Sequence, residues 1–239
     1  MLEQTAKLEQ TGERLLDSAV LFDFGGTLDA DGVAWKERFH RFFASEGVAV
    51  GPARFDPVFY AADDALVGAI PETLSLGDTI LRVADGVAAA LRPDDATLGA
   101  RVAARFLAEA RVCFEANAPV LERLARRYRL GIVSNFYGNL STVCDNAEVR
   151  RYFGVIVDSA RVGLLKPDPR IFLAAVGTLG IEPSRTVMVG DSLSRDMAGA
   201  RAAGMAHIWL TPDPAGQGKP CCHGDRVIGS LRDVEGLLP

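Results

Sequence analysis

The stretch LFDFGGTLDADG (residues 21–32) leads from a short apolar run into a glycine-rich turn, and the acid Asp23 stands where the run ends. With Ala19 and Val20 before it, the run has the length and apolar content of a strand buried on both faces of a parallel sheet. A polar side chain at the end of such a strand lies at the edge where ligands bind in open α/β sheets. The stretch therefore predicts the first strand of an α/β sheet, with Asp23 at its ligand-binding edge.

Similar apolar runs follow along the chain, and helical patterns separate them. The runs are RLGIVSN (129–135), GVIVDS (154–159), TVMVGDS (186–192) and HIWLTP (207–212), and the helical patterns are residues 118–128, 168–180 and 193–204. Asp168 is a predicted N-cap, and Gly180 and Gly204 stand at predicted helix C-termini. This alternation predicts a doubly wound, mainly parallel, Rossmann-like sheet. The segment 226–238 is predicted to add a short strand and a helix.

The interval between Asp23 and Ser134 is far longer than a strand-to-strand crossover requires, and most of it has helical periodicity. Helices inserted directly after the first strand would cover the carboxyl ends of the sheet, so we interpret them as a cap. The predicted organisation is an N-terminal segment (1–18), a core domain (19–32 and 117–239) and a helical cap domain (33–116).

Composition narrows the class of protein. Of the 239 residues 49% are hydrophobic and 24% are charged, which is typical of a globular protein, and the net charge of −5 does not favour nucleic-acid binding. No apolar run approaches the roughly 20 residues that span a bilayer. Residues 1–18 lack the features of a secretory signal, and four cysteines are too few for a disulfide framework. We therefore expect a cytoplasmic protein without membrane or nucleic-acid partners.

Polar side chains recur where the predicted strands end. Asp23, Ser134 and Asp191 each follow or close an apolar run, and Lys166 precedes a predicted helix. Because parallel strands bring their carboxyl ends to one edge, these groups are expected to lie close together. Lys166 is one of only four lysines beside 22 arginines, so lysine at this position carries some information.

These residues lie in four motifs that resemble, in order, those of the haloacid dehalogenase-like hydrolase superfamily with a type C1 helical cap. The motifs are DFGGTL (23–28), VSN (133–135), LLKPDP (164–169) and GDSLSRD (190–196), and the resemblance covers about residues 19–238. It implies that Asp23 attacks phosphorus to form an aspartyl-phosphate. It further implies that Thr27, Ser134 and the backbone N–H of Asn135 bind the phosphoryl group. Lys166 would neutralise the charge of both the nucleophile and the phosphoryl group.

The resemblance also implies a Mg²⁺ site. Asp23, the backbone carbonyl of Gly25 and Asp191 would hold the ion, and Asp196 would support them. Asp196 by itself could equally be an acid in the first turn of a helix. The overall expectation is a Mg²⁺-dependent phosphatase acting on a small phosphorylated metabolite, with its oligomeric state open.

Gly25 departs from the family pattern. Most phosphatases of this superfamily carry there an aspartate that protonates the leaving group and later activates water, a contribution of about 10²–10⁴-fold. Dehalogenases of the family manage without this acid, and phosphonatases use a cap lysine, for which Lys36 is the candidate in this chain. The GDS…D motif favours a metal site and so disfavours the dehalogenase alternative. Lys36, beside Glu37, is interpreted as a solvated helix residue.

Three alternatives explain how the protein could function without an aspartate at position 25. In the first, the substrate carries a good leaving group, such as an anomeric or acyl phosphate. In the second, another residue substitutes, with Asp29, Asp31 and His40 as candidates. In the third, the protein binds a phosphorylated ligand without turnover. Asp29 and Asp31 are also typical turn residues, and His40 is a typical helix-face residue.

Other suggestive residues have simpler interpretations. Cys221, Cys222 and His223 lack zinc-ligand spacing and are assigned to a loop. The aromatic residues Phe39, Phe42 and Phe43 have helical spacing and are assigned to the cap core. Arg38 and Arg41 could reach an anionic ligand, although exposed arginines are common on helices.

Overall fold

A computed structural model of the chain describes residues 16–213 and 226–238. The predictions made for residues 1–15 and for Cys221, Cys222 and His223 lie outside these described residues.

The centre of the structure is a six-stranded sheet, and every pairing between its strands is parallel. The spatial order is β3-β2-β1-β4-β5-β6. The strands are β1 (Ala19–Phe22), β2 (Arg129–Ser134), β3 (Val155–Asp158), β4 (Thr186–Gly190), β5 (Ala206–Leu210) and β6 (Arg226–Ile228). The predicted α/β class and the predicted strand positions are thus confirmed.

Strand β1 shows why an unbroken apolar run predicts a central strand. All four of its residues are buried. Val20 and Phe22 belong to one hydrophobic cluster, and Ala19 and Leu21 belong to a second. Because successive side chains of a strand point to opposite faces, the sheet is covered on both sides.

Helices pack on both faces of the sheet, and four of them lie in the chain between β1 and β2. These four are α1 (Trp35–Ser45), α2 (Pro52–Asp64), α3 (Leu76–Leu91) and α4 (Leu98–Ala125). The helices that follow are α5 (Leu140–Asn146), α6 (Ser159–Val162), α7 (Pro169–Leu179) and α8 (Ala198–Ala202), the last preceded by a π-helical turn (Leu193–Met197). None of the helices in the described ranges is long and apolar enough to cross a membrane.

Two prolines stand inside helices, although proline is typical of helix starts. Helix α2 begins at Pro52 and contains Pro57, and α4 contains Pro119, so the pattern at 118–128 is the end of a longer helix and not a separate one. The buried face of α4 continues across Pro119, with Phe114 before it and Leu121 after it. Burial of this continuous apolar stripe outweighs the hydrogen bond that the proline removes.

Helix α7 has the predicted ends. The side chain of Asp168 accepts a hydrogen bond from the backbone N–H of Arg170, and Gly180 ends the helix in the left-handed conformation. The last segment forms the predicted strand β6 but continues as a 3₁₀ helix (Leu231–Leu237), where the sequence predicted an α-helix.

The order of the strands creates a switch point beside β1. The chain proceeds from β1 to β2 and β3 on one side, and then returns to place β4 on the other side of β1. Phe22, the last residue of β1, is in register with Ile132 on one neighbour and with Val189 on the other. The residues that follow these three strands therefore meet in one crevice, where α/β sheets bind ligands.

Candidate active site

Asp23 lies at the bottom of this crevice, directly after β1. Its backbone N–H donates to the carbonyl of Val189 at 3.0 Å, and the residue is 7% exposed. The hydroxyl of Ser134, the last residue of β2, donates to Asp23 Oδ1 at 2.7 Å. The strand ends thus place the hydroxyl and the carboxylate in contact, as the motif spacing predicts.

Lys166 joins the acids that follow β1 and β4. Its buried ammonium donates to Asp23 Oδ1 and to Asp196 Oδ1, each at 2.6 Å. Burial by itself lowers the pKa of Lys166, but the two carboxylates outweigh this and raise the pKa above its usual value. Lys166 is therefore a fixed positive charge beside the Asp23 carboxylate.

Three carboxylates converge at the same point. Oxygen atoms of Asp23, Asp191 and Asp196 all lie within 4.8 Å of one another. Burial raises the pKa of Asp191 well above its usual range, and the charges of Asp23 and Asp196 raise it further. Burial likewise raises the pKa of Asp196. A cluster of largely enclosed carboxylate oxygens is a suitable donor set for Mg²⁺, which prefers hard oxygen ligands.

The turn after β1 packs tightly against Asp191. Gly26 has φ of +90°, and a Cβ atom there would come within 2.6 Å of Asp191 Oδ2. Only glycine fits, because both the positive φ and the close approach exclude a side chain. Thr27, one residue on, is fully buried, and its hydroxyl donates to Asp191 Oδ1 at 3.3 Å.

The side chain of Asn135 braces the Lys166 segment. Its Oδ1 accepts from the backbone N–H of Lys166 at 2.8 Å, and its Nδ2 donates to the Lys166 carbonyl at 3.2 Å. The amide group is therefore committed to positioning Lys166. Any contribution of Asn135 to a bound phosphoryl group falls to its backbone N–H.

Trp35 occupies the space beside Gly25. A Cβ atom at position 25 would lie 3.0 Å from the indole Nε1 and 3.3 Å from two further ring atoms. The ring is held in place because Nε1 donates to Asp29 Oδ2 at 2.7 Å and because Phe106 and Phe136 pack edge-to-face against it. The indole ring therefore closely borders the space that a side chain at position 25 would enter.

Asp29, one candidate for replacing that acid, is enclosed in a buried network. Its carboxylate accepts from the Gly26 N–H at 2.7 Å, from Trp35 Nε1, and from Arg38 Nη1 at 2.6 Å. Arg38 is itself fully buried, donates to Glu109, and stacks 3.7 Å above the Phe106 ring. Neither Asp29 nor Arg38 is among the residues that line the cavity described below.

The other two candidates also have structural partners. Asp31 accepts from Ser230, from the Leu231 N–H and from Arg232, which ties the turn to the C-terminal segment. The His40 ring bonds the carbonyl of Val50 at 2.7 Å. Neither residue lines the cavity.

The cavity above Asp23 has a volume of about 580 Å³. Its floor includes Asp23, Gly25, Ser134, Asn135 and Lys166. Helices α1 and α2 supply much of its wall. The wall residues from these helices are Trp35, Lys36, Glu37, Phe59, Tyr60, Asp63 and Asp64. The inserted helices therefore enclose the space next to the strand ends, and the space is large enough for a small organic molecule.

The sequence context of Lys36 predicted a solvated helix residue. In the structure Lys36 lines this cavity. Its ammonium pairs with Asp56 at 2.7 Å and lies over the Tyr60 ring. The hydrogen bond to Asp56 raises the pKa of Lys36. A lysine that forms a Schiff base needs a lowered pKa, so this environment disfavours the phosphonatase alternative.

The other residues of helix α1 that the sequence singled out have structural partners. Phe39 and Phe43 are fully buried, and Phe42 packs against the same cluster, as predicted for the cap core. Arg41 pairs with Glu109 on the exposed surface. None of these four residues lines the cavity.

Sequence reasoning missed several polar residues that line the cavity, among them Asp63, Tyr137 and Arg195. Tyr137 Oη donates to Asp63, which joins helix α2 to the segment after β2. Arg195 lies within the fourth motif, GDSLSRD (190–196). Burial lowers the pKa of Arg195, but the charges of Asp23, Asp196 and Asp191 outweigh this and raise it. Its position between two motif acids was the one available signal; nothing in the sequence distinguishes Asp63 from other acids of the predicted helices.

Residues 18–204 match the family described as haloacid dehalogenase-like hydrolase. The match covers well over half of the chain, and the fold and the four motif positions agree with it. The chain therefore belongs to the haloacid dehalogenase-like hydrolase family.

Particular relatives are similar over shorter stretches. Haloacid dehalogenase-like hydrolase domain-containing protein 3 of Bos taurus is 39% identical over 89 residues, which cover 37% of this chain and 35% of that protein. Phosphoserine phosphatase of Thermus thermophilus is 33% identical over 125 residues, which cover 50% of this chain and 48% of that protein. The chain thus spans about a third to a half of the length of these curated relatives.

A solved structure is similar over nearly the whole chain. The HAD phosphatase from Thermococcus onnurineus superposes with a TM-score of 0.53 at 22% identity, and the match covers 92% of this chain and 97% of that one. At this identity the similarity shows a shared fold.

Proposed function

We propose that this protein is a Mg²⁺-dependent phosphatase that hydrolyses a small phosphorylated metabolite through a phosphorylated Asp23. The observation that carries the proposal is the grouping at one cavity floor of a carboxylate, a lysine and a hydroxyl, with two further acids beside them. The phosphatase name of the Thermus relative supports the reaction class. The net charge of −5 disfavours a nucleic-acid substrate, and the cavity supports a small-molecule substrate.

Each residue has a role that follows from its contacts. Asp23 attacks phosphorus, so that one bond forms from its carboxylate oxygen while the bond to the leaving oxygen breaks. The ammonium of Lys166 and the hydroxyl of Ser134 already contact the Asp23 carboxylate, and they would donate to the phosphoryl oxygens that come to lie beside it. Thr27 would donate a further hydrogen bond after turning from Asp191. Water then attacks phosphorus and releases Asp23.

The acids fit a metal ion. Asp23 and Asp191 would hold Mg²⁺ together with the Gly25 carbonyl, and Asp196 would act mainly by holding Lys166 and the Ser192 N–H. Bound Mg²⁺ neutralises phosphoryl charge and allows two anions to approach. After burial itself, the charges of Asp23 and Asp196 raise the pKa of Asp191, so the negative charge gathered here suits a divalent cation.

The test is phosphate release from p-nitrophenyl phosphate, a substrate whose leaving group needs no acid. We expect Mg²⁺-dependent turnover in the native protein and its loss, by at least about 10³-fold, in Asp23→Asn. Asp94→Asn, which changes an exposed acid of the cap, is the matched control and should retain turnover.

A second readout separates metal binding from chemistry. Mg²⁺ should raise the melting temperature of the native protein and should not raise that of Asp191→Asn. Turnover that persists in Asp23→Asn, or that is indifferent to Mg²⁺ and its chelation, would overturn the proposal.

A further inference from the structure

The substitution of glycine at position 25 leaves the proposed reaction without its usual proton carrier. The Trp35 ring fills the adjoining space, and Asp29 is bonded on all sides within a buried network. If alkyl phosphates are substrates, the proton must come from another group on the cavity wall. In the described part of the chain, three carboxylates besides Asp23 line this cavity: Glu37, Asp63 and Asp64.

Burial and contacts distinguish Asp63 from the other two. The side chain of Glu37 is 54% exposed and lies 3.5 Å from the Lys36 ammonium, and Asp64 is exposed. Asp63 is largely enclosed near the end of helix α2. A group that exchanges protons with a bound substrate must face the cavity and be shielded from bulk water, and Asp63 meets both conditions.

Tyr137 holds Asp63 in place across the cavity wall. Its hydroxyl donates to Asp63 Oδ1, and the nearby backbone N–H of Gly68 donates to the Tyr137 carbonyl at 3.1 Å. The Tyr137 ring packs on Phe136, which follows the catalytic-site residues Ser134 and Asn135. Helix α2 is therefore fastened to the same loop that carries Ser134, and Asp63 is held facing the cavity that Asp23 lines.

The surroundings of Asp63 favour its protonated form. Burial raises the pKa of Asp63, the hydrogen bond from Tyr137 opposes this, Asp64 raises it and Arg195 lowers it. Burial also raises the pKa of Tyr137, so its hydroxyl stays protonated and acts as a donor. The other charged or titratable groups on this wall are Lys36 and Glu37 of α1 and Tyr60 of α2.

We propose that Asp63 is the acid and base that replaces the missing aspartate at position 25, and that Tyr137 is its positioning residue. The proposal rests on the phosphatase function proposed above. As the bond between phosphorus and the leaving oxygen breaks, the Asp63 carboxyl proton passes to that oxygen and an alcohol departs. The Asp63 carboxylate then takes a proton from the water that attacks phosphorus, while the bond to Asp23 breaks and phosphate is released.

The experiment compares two substrates that differ in their need for an acid. Asp63→Asn is assayed on p-nitrophenyl phosphate and on a panel of alkyl phosphates that includes phosphoserine and glycerol phosphate. The first half-reaction, read as kcat/KM, should fall by about 10²–10⁴-fold for the alkyl phosphates and by less than about 10-fold for the aryl phosphate. The neighbouring Asp64→Asn makes the same charge change at an exposed position and should not produce this selectivity.

Tyr137→Phe gives a second, independent readout. The variant retains the carboxyl group but removes a hydrogen bond that stabilises the charged form of Asp63. The pKa of Asp63 should therefore rise in this variant, and the alkaline limb of the pH profile of kcat/KM on alkyl phosphates should move to higher pH. In Asp63→Asn this limb should be absent.

The outcomes separate the two proposals. Equal losses on both substrates in Asp63→Asn, no loss, or a selective loss in Asp64→Asn instead would overturn the role of Asp63 and leave the phosphatase standing. Native protein that hydrolyses the aryl phosphate but no alkyl phosphate would also overturn it, since no acid would then be at work. Native protein inactive on all of these substrates would overturn the phosphatase function itself and this inference with it.

Discussion

Replacing Gly25 with alanine tests whether the Trp35 ring truly fills the space beside the glycine. Gly25 does not have a positive φ, so alanine meets no backbone penalty there. Its added methyl group would lie 3.0 Å from Trp35 Nε1 and 3.3 Å from Cδ1 and Cε2. The ring cannot easily yield, because it is bonded to the buried Asp29 and packed between Phe106 and Phe136.

The magnitude follows from two opposing effects. Overpacking a rigid interior costs about 1–3 kcal/mol. Replacing glycine with alanine reduces the conformational entropy of the unfolded chain, which contributes about 0.4–1 kcal/mol in favour of folding. We therefore expect Gly25→Ala to lower the free energy of unfolding by about 1–2 kcal/mol, which corresponds to roughly 2–8 °C in melting temperature for a chain of this size.

The assay is urea denaturation of a double-mutant cycle. Trp35→Val removes all three ring atoms that the new methyl group would meet, so Gly25→Ala should cost little in that background, with a coupling energy of about 1–2 kcal/mol. Gly177→Ala is the matched control, because an added Cβ there meets nothing within 4 Å. Because Gly177 also lies within helix α7, this change should stabilise the protein by about 0.5–1 kcal/mol. A neutral Gly25→Ala, or costs that simply add, would refute the steric argument.

Two further predictions concern charge. Arg38→Met should lower the free energy of unfolding by about 3–5 kcal/mol, because it leaves the Asp29 carboxylate buried without its cation. Arg41→Met, at an exposed position, should change the free energy of unfolding by less than about 0.5 kcal/mol. Urea denaturation of both variants measures this difference, and equal effects would contradict the prediction. The guanidinium and backbone N–H of Arg170 lower the pKa of Asp168 to about 2 from an ordinary 3.8. Because the pKa of Asp168 is lower in the folded state than in the unfolded state, its carboxylate stabilises the fold above about pH 4. This stabilisation is lost as the pH falls to about 2. The stability advantage of the native protein over Asp168→Asn should therefore be present at pH 7 and vanish near pH 2, and a pH-independent difference would contradict this.

Much of the candidate site could be predicted from local sequence. Asp23, Ser134 and Asp191 each stand at the end of a short apolar run, and parallel strands bring such ends together without further information. The position of Lys166 at this site could not be predicted from a strand end, since Lys166 follows no strand. Its position depends on the Asn135 amide, which bonds both the N–H and the carbonyl of Lys166.

Local signals were misleading where long-range packing outweighed them. Pro57 and Pro119 are typical of helix starts, but both lie inside helices because a continuous buried face extends past them. Sequence proximity was equally misleading in the search for a residue that replaces the acid missing at position 25. Asp29 and Asp31 were candidates because they are close to Asp23 in sequence, yet the structure commits them to Arg38 and Arg232 respectively.

Sequence by itself determined the α/β class, the strand ends and the four motif positions, because strand length, apolar run and turn residues are properties of short stretches. Only the tertiary structure decided which acids face the cavity. That outcome depends on how helices α1 and α2 pack over the strand ends, which brings Trp35 against Gly25 and Asp63 against Tyr137. Each of these contacts joins residues whose spacing along the chain carries no signal, so burial and hydrogen bonding in the folded molecule assign their roles.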